Sequence, residues 1–166
     1  MAFQIVARPP KITRPIMTAV AHVKNNQLAN TDIKFDIPSS ARINGGMYVL
    51  GSGQIVVHPI VTHLRGHHVT NDLLDHEQGH YDIGLLTARA LAPDLANASG
   101  NTTTALANMV VTTRDLHVIT RMEPIQRLYD QQTNHGTNKI AQTLWSGMIQ
   151  VALAIPQPIS LMGLPL

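Results

Sequence analysis

The sequence predicts an α+β fold in which a mainly antiparallel sheet, formed by residues 1–68, precedes three helices in residues 70–155. Short runs of alternating apolar and polar residues dominate the first part, as is typical of strands with one buried face. Apolar residues spaced three or four apart dominate the second part, as in amphipathic helices. At 166 residues, the chain is expected to form a single domain with its own core, ending in a short apolar tail at 156–166.

The strand pattern divides the first part of the chain into five runs. Strands are predicted at residues 3–7, 16–23, 33–37, 47–50 and 54–58. Prolines between the first two runs place that segment in a loop or at a sheet edge, and Asn25 with Asn26 forms a candidate turn. Glycines surround the last two runs, which are therefore expected to pair as a hairpin.

Cap residues and prolines set the helix boundaries. The first helix is expected from Asn71 to about Leu91, where Pro93 ends it, and the third from Lys139 to Ala154. The second is expected from Thr102 to Met122, with a continuation past Pro124 to Gln132. The expected buried stripes are Leu106, Met109, Val110, Leu116 and Ile119 on the second helix, and Ile140, Leu144, Met148 and Val151 on the third.

Composition excludes several classes of function. The chain has no cysteine, so thiolate metal sites and cysteine nucleophiles are ruled out. Its 12 basic and 10 acidic residues form no basic cluster, which argues against a nucleic-acid partner. No apolar run is long enough for a membrane span, and the first twenty residues lack the pattern of a signal peptide.

The strongest signal for function is the segment from His76 to His80, which reads His-Glu-Gln-Gly-His. On a helix, two histidines four residues apart project from one face, with Glu77 beside them. This H-E-x-x-H arrangement is typical of zinc hydrolases, where the histidines bind the metal and the glutamate handles the proton of a water molecule.

A zinc site of this kind needs a third protein ligand. The longer pattern H-E-x-x-H-x-x-G-x-x-H is not met, because positions 83 and 86 are isoleucine and leucine. Glu123 is the only later glutamate, but it directly precedes a proline. His135 adjoins Gly136 at a predicted helix end, where the chain can turn the imidazole back. The full set of candidates is Asp82, Asp94, Asp115, His117, Glu123, Asp130 and His135.

Over residues 74–84, 128–136 and 142–145, the chain resembles a bacterial domain-of-unknown-function family whose members are regarded as secreted zinc-dependent proteases. That family has H-E-Q-G-H-F-D-I followed by Y-D-x-E-T-x-H-G, and this chain matches from His76 and again from Tyr129 to Gly136. It departs from the pattern at Tyr81, where phenylalanine is usual, and at Gln132, where glutamate is usual. The second departure removes a carboxylate that could orient a neighbouring group.

The resemblance implies a zincin-like fold, a secreted or periplasmic location, and His135 as the third zinc ligand with Asp130 nearby. The expected activity is hydrolysis of peptide or protein substrates, with Glu77 as general base and Tyr129 as a hydrogen-bond donor to the oxyanion. Asp82 or Asp130 is expected to orient a ligand imidazole. In zincins the strand before the motif helix is commonly an edge strand, so 54–64 is expected to pair with substrate. The alternative is a non-catalytic metal-binding or protein-interaction module.

Overall fold

The computed structural model describes residues 3–24 and 27–166, and the candidate turn at Asn25 and Asn26 lies outside them. The α+β class is confirmed, with a sheet at the front of the chain and three long helical segments behind it. The chain order is β1 (Gln4–Ala7), β2 (Thr18–Val20), β3 (Ala29–Asp36), β4 (Ala41–Asn44), β5 (Met47–Leu50), β6 (Gln54–Leu64), α1 (Asn71–Asn97), β7 (Ser99–Gly100), α2 (Thr103–Asp115), α3 (Glu123–Thr133), α4 (Lys139–Ala154), β8 (Ser160–Leu161) and β9 (Leu164–Pro165).

The main sheet is mixed, so the prediction of a mainly antiparallel sheet is met only in part. Strand β6 lies at its centre and pairs antiparallel with β3 along one side. Along the other side it pairs in parallel with β1 and then with β2. These two short strands follow one another along the same edge of β6, separated by the proline-containing loop, and therefore run in the same direction. The expectation that 54–64 forms an edge strand is wrong, because β6 is flanked on both sides.

The hairpin in this region joins β4 to β5, not the two runs that the sequence pattern paired. Gly45 and Gly46 connect the strands with φ angles of +57° and +81°. Two successive positive φ angles are what a two-residue type I′ hairpin turn requires, and glycine adopts them without strain. Strand β7 adds to the far side of β5 and completes a separate small sheet.

Helix α1 begins at the predicted residue, where the Thr70 hydroxyl accepts a hydrogen bond from the Leu73 amide. It does not stop before Pro93 but continues to Asn97. Leu91 and Leu95 are fully buried on either side of the proline, and this packing offsets the backbone hydrogen bond that proline cannot make. The helix is therefore nearly two turns longer than the sequence indicated.

The second helical segment runs from α2 into α3 through a π-helical stretch, Leu116–Met122. A π-helical turn takes up an extra residue in the helix, and Pro124 follows it in the first turn of α3, where a missing amide hydrogen is tolerated. The prediction of a helix that continues past Pro124 is confirmed. Most of its expected buried stripe is wrong, because Met109, Leu116 and Ile119 are exposed and only Leu106 is fully buried.

Helix α4 has the predicted bounds, but the wrong face was assigned to the core. Its buried residues are Gln142, Trp145, Ile149 and Ala152. The predicted stripe of Ile140, Leu144, Met148 and Val151 is exposed instead. The tail docks on the domain, because Leu161 and Leu166 are buried against the same core as Trp145.

Helix α1 lies between two hydrophobic cores. One core joins it to the main sheet and includes Ile55, Val57 and Tyr81. The other joins it to the later helices and includes Ile83, Ile125 and Trp145. The H-E-x-x-H segment is thus held from both sides. Within the described residues, no helix is long and apolar enough to cross a membrane.

Candidate metal centre

The motif residues are buried in the middle of the domain. His76, Glu77 and His80 expose 2%, 2% and 7% of their surface. The Nε2 atoms of the two histidines lie 3.3 Å apart, as the one-turn spacing on α1 predicts. The sequence therefore correctly placed these two imidazoles together.

Asp130 from α3 lies between the imidazoles. Its Oδ1 atom is 3.1 Å from Nε2 of His76 and 3.0 Å from Nε2 of His80. The Nδ1 atom of His135 is 3.2 Å from the same oxygen. Three imidazole nitrogens thus converge on one carboxylate oxygen, and the structure brings together four of the residues singled out in the sequence.

The spacing of these atoms fits a tetrahedral metal site. Bonds of about 2.0–2.1 Å from zinc to nitrogen or oxygen place neighbouring ligand atoms about 3.3 Å apart. The two motif nitrogens match that separation, and one ligand atom each from His76, Asp130 and His135 lie within 4.8 Å of one another. This cluster of borderline and hard donors could hold a divalent metal ion.

The other third-ligand candidates are engaged elsewhere. Glu123 is half-exposed and lies 3.5 Å from Arg127. His117 and Asp94 form their own pair, with 2.8 Å between Nε2 and Oδ2. Asp115 binds its neighbour Arg114. Asp82 accepts a hydrogen bond from Gln78, so the choice of a third ligand narrows to Asp130 and His135.

Opposite charges couple Asp130 to the histidines. Burial alone would raise the pKa of Asp130, but hydrogen bonds from His76 and His80 and their positive charge hold it well below its usual range. Burial alone would lower the pKa of His80, but the contact with Asp130 and the charge of Glu77 hold it above its ordinary value. The aspartate is therefore an anion, as a metal ligand must be.

Two glutamine side chains orient the motif imidazoles. The sequence predicted Asp82 or Asp130 in this role. Oε1 of Gln142 lies 3.2 Å from Nδ1 of His76, and Oε1 of Gln126 contacts Nδ1 of His80. Because an amide oxygen only accepts hydrogen bonds, each Nδ1 carries a proton. Each Nε2 donates to Asp130 in this structure, and it would present its lone pair to a metal ion once its own proton is lost.

The two amides are themselves fixed by their nitrogen atoms. Nε2 of Gln126 donates to the backbone carbonyl of His80 at 3.0 Å, and Nε2 of Gln142 donates to the Tyr129 hydroxyl at 2.6 Å. The sequence assigned no role to either glutamine, although Gln142 belongs to the resemblance, because each is remote in the chain from its histidine and glutamine has no motif of its own.

Tyr129 supports the site and does not face a substrate. Its hydroxyl donates to the His76 carbonyl at 3.1 Å, and its fully buried ring stacks on the His76 ring at a centroid distance of 4.8 Å. Burial raises its pKa. The expectation of an oxyanion donor is therefore wrong, because the hydroxyl proton is already committed inside the protein. Gly79 makes room for this ring, since a Cβ there would lie 2.2 Å from the hydroxyl oxygen.

Glu77 contacts the sheet. Its Oε2 atom accepts a hydrogen bond from the Thr31 hydroxyl of β3 at 2.6 Å. This contact fixes the carboxylate beside the cluster, and the sequence gave no sign of it because Thr31 belongs to an unremarkable strand.

His135 reaches the cluster through a turn at the end of α3. Asn134, His135 and Gly136 have φ angles of 45°, 52° and 81°, and this run of left-handed residues reverses the chain. Gly136 packs against His76, where a Cβ would lie 2.9 Å from the histidine Cβ. The predicted turn is thus confirmed. The imidazole is half-exposed, and its Nδ1 also lies 2.8 Å from Nε2 of Gln27.

Two other motif residues have structural roles. Asp82 accepts a hydrogen bond from Gln78 at 2.7 Å instead of orienting an imidazole, and burial raises its pKa. Gln78 also accepts the Ile12 amide at 2.8 Å, which ties the loop after β1 to α1. Gln132 accepts the Trp145 indole N–H at 2.8 Å, so this departure from the family pattern serves the packing of α3 against α4.

The part of the chain that contains the motif helix matches a known family. Residues 60–136 match the family described as bacterial protein of unknown function (DUF922). The match includes the motif helix, Asp130 and His135, and it ends before Gln142. The description assigns no activity to the family. No curated protein and no solved structure matched the chain.

Proposed function

We propose that the chain is a zinc-dependent peptidase with a zincin-like arrangement, in which His76, His80 and Asp130 hold the metal. The observation that carries the proposal is the convergence of both motif nitrogens on Asp130 Oδ1, with the buried Glu77 carboxylate on the same helix turn. Asp130 is favoured over the expected His135 because its Oδ1 lies within hydrogen-bond distance of both nitrogens and because its side chain is less exposed. His135 then borders the solvent side of the site.

A bound zinc ion supplies a Lewis acid that lowers the pKa of a water molecule and polarises a substrate carbonyl. Glu77 accepts the proton of the attacking water and delivers it to the leaving amine. Thr31 holds that carboxylate in place through its hydroxyl. Gln126 and Gln142 keep the imidazole protons on the nitrogens that face away from the metal.

The free edge of β3 supports a peptide as the substrate. Within the described part of the chain, β3 pairs only with β6. Its outer edge can therefore accept an extended peptide as an additional strand. Thr31 lies in this strand and contacts Glu77, so a peptide that pairs there passes beside the proposed general base.

The decisive experiment exploits the fact that the chain contains only two glutamates, Glu77 and Glu123. Glu77→Gln preserves side-chain size, so the variant is expected to keep its zinc but lose hydrolysis of a broad peptide library by at least about 100-fold. Glu123→Gln is the matched control and should retain full activity. Equal activity of Glu77→Gln and the unaltered chain would refute the assignment.

One observation favours a second function, a non-catalytic metal-binding module. His135 lies close enough to join His76 and Asp130, and zinc with four protein ligands, His80 included, is typical of closed structural sites. Under this alternative, His135→Ala lowers zinc affinity and the loaded protein cleaves no peptide. Under the peptidase proposal, three ligands suffice and His135→Ala retains stoichiometric zinc.

A further inference from the structure

The exposed face of α4 carries an apolar stripe made of Ile140, Leu144, Met148, Val151 and Ile155. Ile140 exposes 87% of its surface and Val151 exposes 63%. The opposite side of the same helix, with Trp145 and Ile149, is buried in the domain. The core therefore leaves unused a continuous stripe about four helical turns long.

Gly147 borders this stripe, and none of the described residues packs against it. A Cβ at this position would have nothing within 4 Å. Glycine in the interior of a helix costs about 1 kcal/mol relative to alanine, and no close contact within the domain requires it. A glycine on an exposed helix face lets the backbone of another helix approach closely.

The stripe is symmetric about its centre. Ile140 and Ile155 lie equally far from the midpoint between Gly147 and Met148, and so do Leu144 and Val151. Two copies of α4 crossing antiparallel about this midpoint place apolar side chains opposite one another along the whole stripe. Such self-complementarity is the requirement for a two-fold dimer interface.

Charge also favours a second copy as the occupant. Lys139 is the only charged residue in positions 139–166, and its Nζ is 2.7 Å from Asp72 of α1. The stripes themselves therefore carry no charged side chains that would repel one another. A helix that binds a membrane surface needs lysine and arginine beside its apolar face, and α4 has none beyond this paired lysine.

The area of the stripe suits a small dimer interface. Its five large side chains expose on the order of 500 Å² in each protomer, at the upper end for a monomer surface. Two stripes together remove about 1,000 Å² from water, which is the lower bound for a specific interface. We propose that the chain forms an antiparallel homodimer through the α4 stripe, with Gly147 and Met148 at the two-fold axis.

Sedimentation analysis of the full chain from about 1 to 100 µM tests the proposal. The unaltered chain is expected to show a concentration-dependent dimer. Leu144→Gln with Val151→Gln should raise the dimer dissociation constant at least about 100-fold. Both positions are exposed, so circular dichroism should show an unchanged fold. Met109→Gln with Ile119→Gln, on exposed positions of the preceding helical segment, is the matched control and should leave the dimer intact.

The absence of cysteine allows a second measurement that fixes the position of the axis. Under mild oxidation, Met148→Cys should form a disulfide between protomers, because residues facing each other at the axis come within bonding range. Ser146→Cys is the control, since this residue faces the groove between α1 and α4. A chain that stays monomeric to 100 µM, a dimer unaffected by the double substitution, or equal cross-linking at both positions would overturn the proposal.

Discussion

Gly79→Ala tests whether the buried Tyr129 ring requires glycine at position 79, one of the two variable positions of the H-E-x-x-H motif. The added Cβ would lie 2.2 Å from the tyrosine oxygen and 2.6 Å from Cζ, whereas non-bonded carbons pack at about 3.5–4.0 Å. The buried ring must therefore shift by about 1 Å. It is confined by His76 on one side and by Trp145, whose ring centroid is 5.2 Å away.

The magnitude follows from three opposing contributions. Alanine gains about 1 kcal/mol in helix propensity, overpacking costs about 1–3 kcal/mol, and the hydrogen bond from Tyr129 to the His76 carbonyl contributes about 1 kcal/mol that is lost. The net destabilisation of up to about 3 kcal/mol centres near 2, which corresponds to a fall in Tm of about 4–8 °C.

Thermal and urea unfolding measure this effect. Tyr129→Phe removes the nearest clashing atom, so the double variant should be more stable than the sum of the single effects predicts by about 1 kcal/mol. Gly147→Ala, in the Leu144→Gln, Val151→Gln background, is the propensity control and should be stabilising. A Gly79→Ala chain as stable as the original, or strictly additive effects, would refute the steric argument.

The remaining predictions concern metal affinity and pH. Gln142→Leu removes the acceptor for the His76 Nδ1 proton and should weaken zinc binding about 10–100-fold in chelator competition, while unchanged affinity would remove its positioning role. Burial lowers the pKa of His117 despite its contact with Asp94. As the pH falls, His117 therefore binds a proton in the unfolded chain before it does so in the folded chain. The free energy of unfolding decreases as the pH falls below about 6.5. His117→Gln should flatten urea-unfolding stability in that range, and the exposed His22→Gln should not; identical pH profiles would contradict the prediction.

Local signals in the sequence were sufficient for the first residues of α1 and α4. The Thr70 cap fixed the start of α1, and the Asn138 side chain caps α4, where it accepts from the Ala141 amide. Periodicity could not identify the buried face of α4, because that helix has two apolar stripes and only the tertiary fold decides which one meets the core. Leu144 belongs to the exposed stripe, and Trp145 belongs to the buried one.

The site was predictable where its residues are neighbours on one helix. His76, Glu77 and His80 follow from a spacing of four, and His135 came from the resemblance and its glycine turn. Thr31 and Gln142 were not predictable, because their contacts form only when β3 and α4 pack against α1. The parallel pairing of β1 and β2 with β6 was missed for a related reason. Alternation of apolar and polar residues predicts a strand but not the direction of its partner.

The ties that Gln78 and Gly79 make have a consequence for protein design. In the bare motif these are the two unrestricted positions, yet here one anchors the loop after β1 and the other accommodates a buried ring. Transplanting α1 into another scaffold would therefore carry the metal-binding residues without the loop and the aromatic ring that hold them in register. A graft would need α1 together with the residues of both hydrophobic cores that pack against it. A graft of α1 without those residues is expected to bind metal weakly.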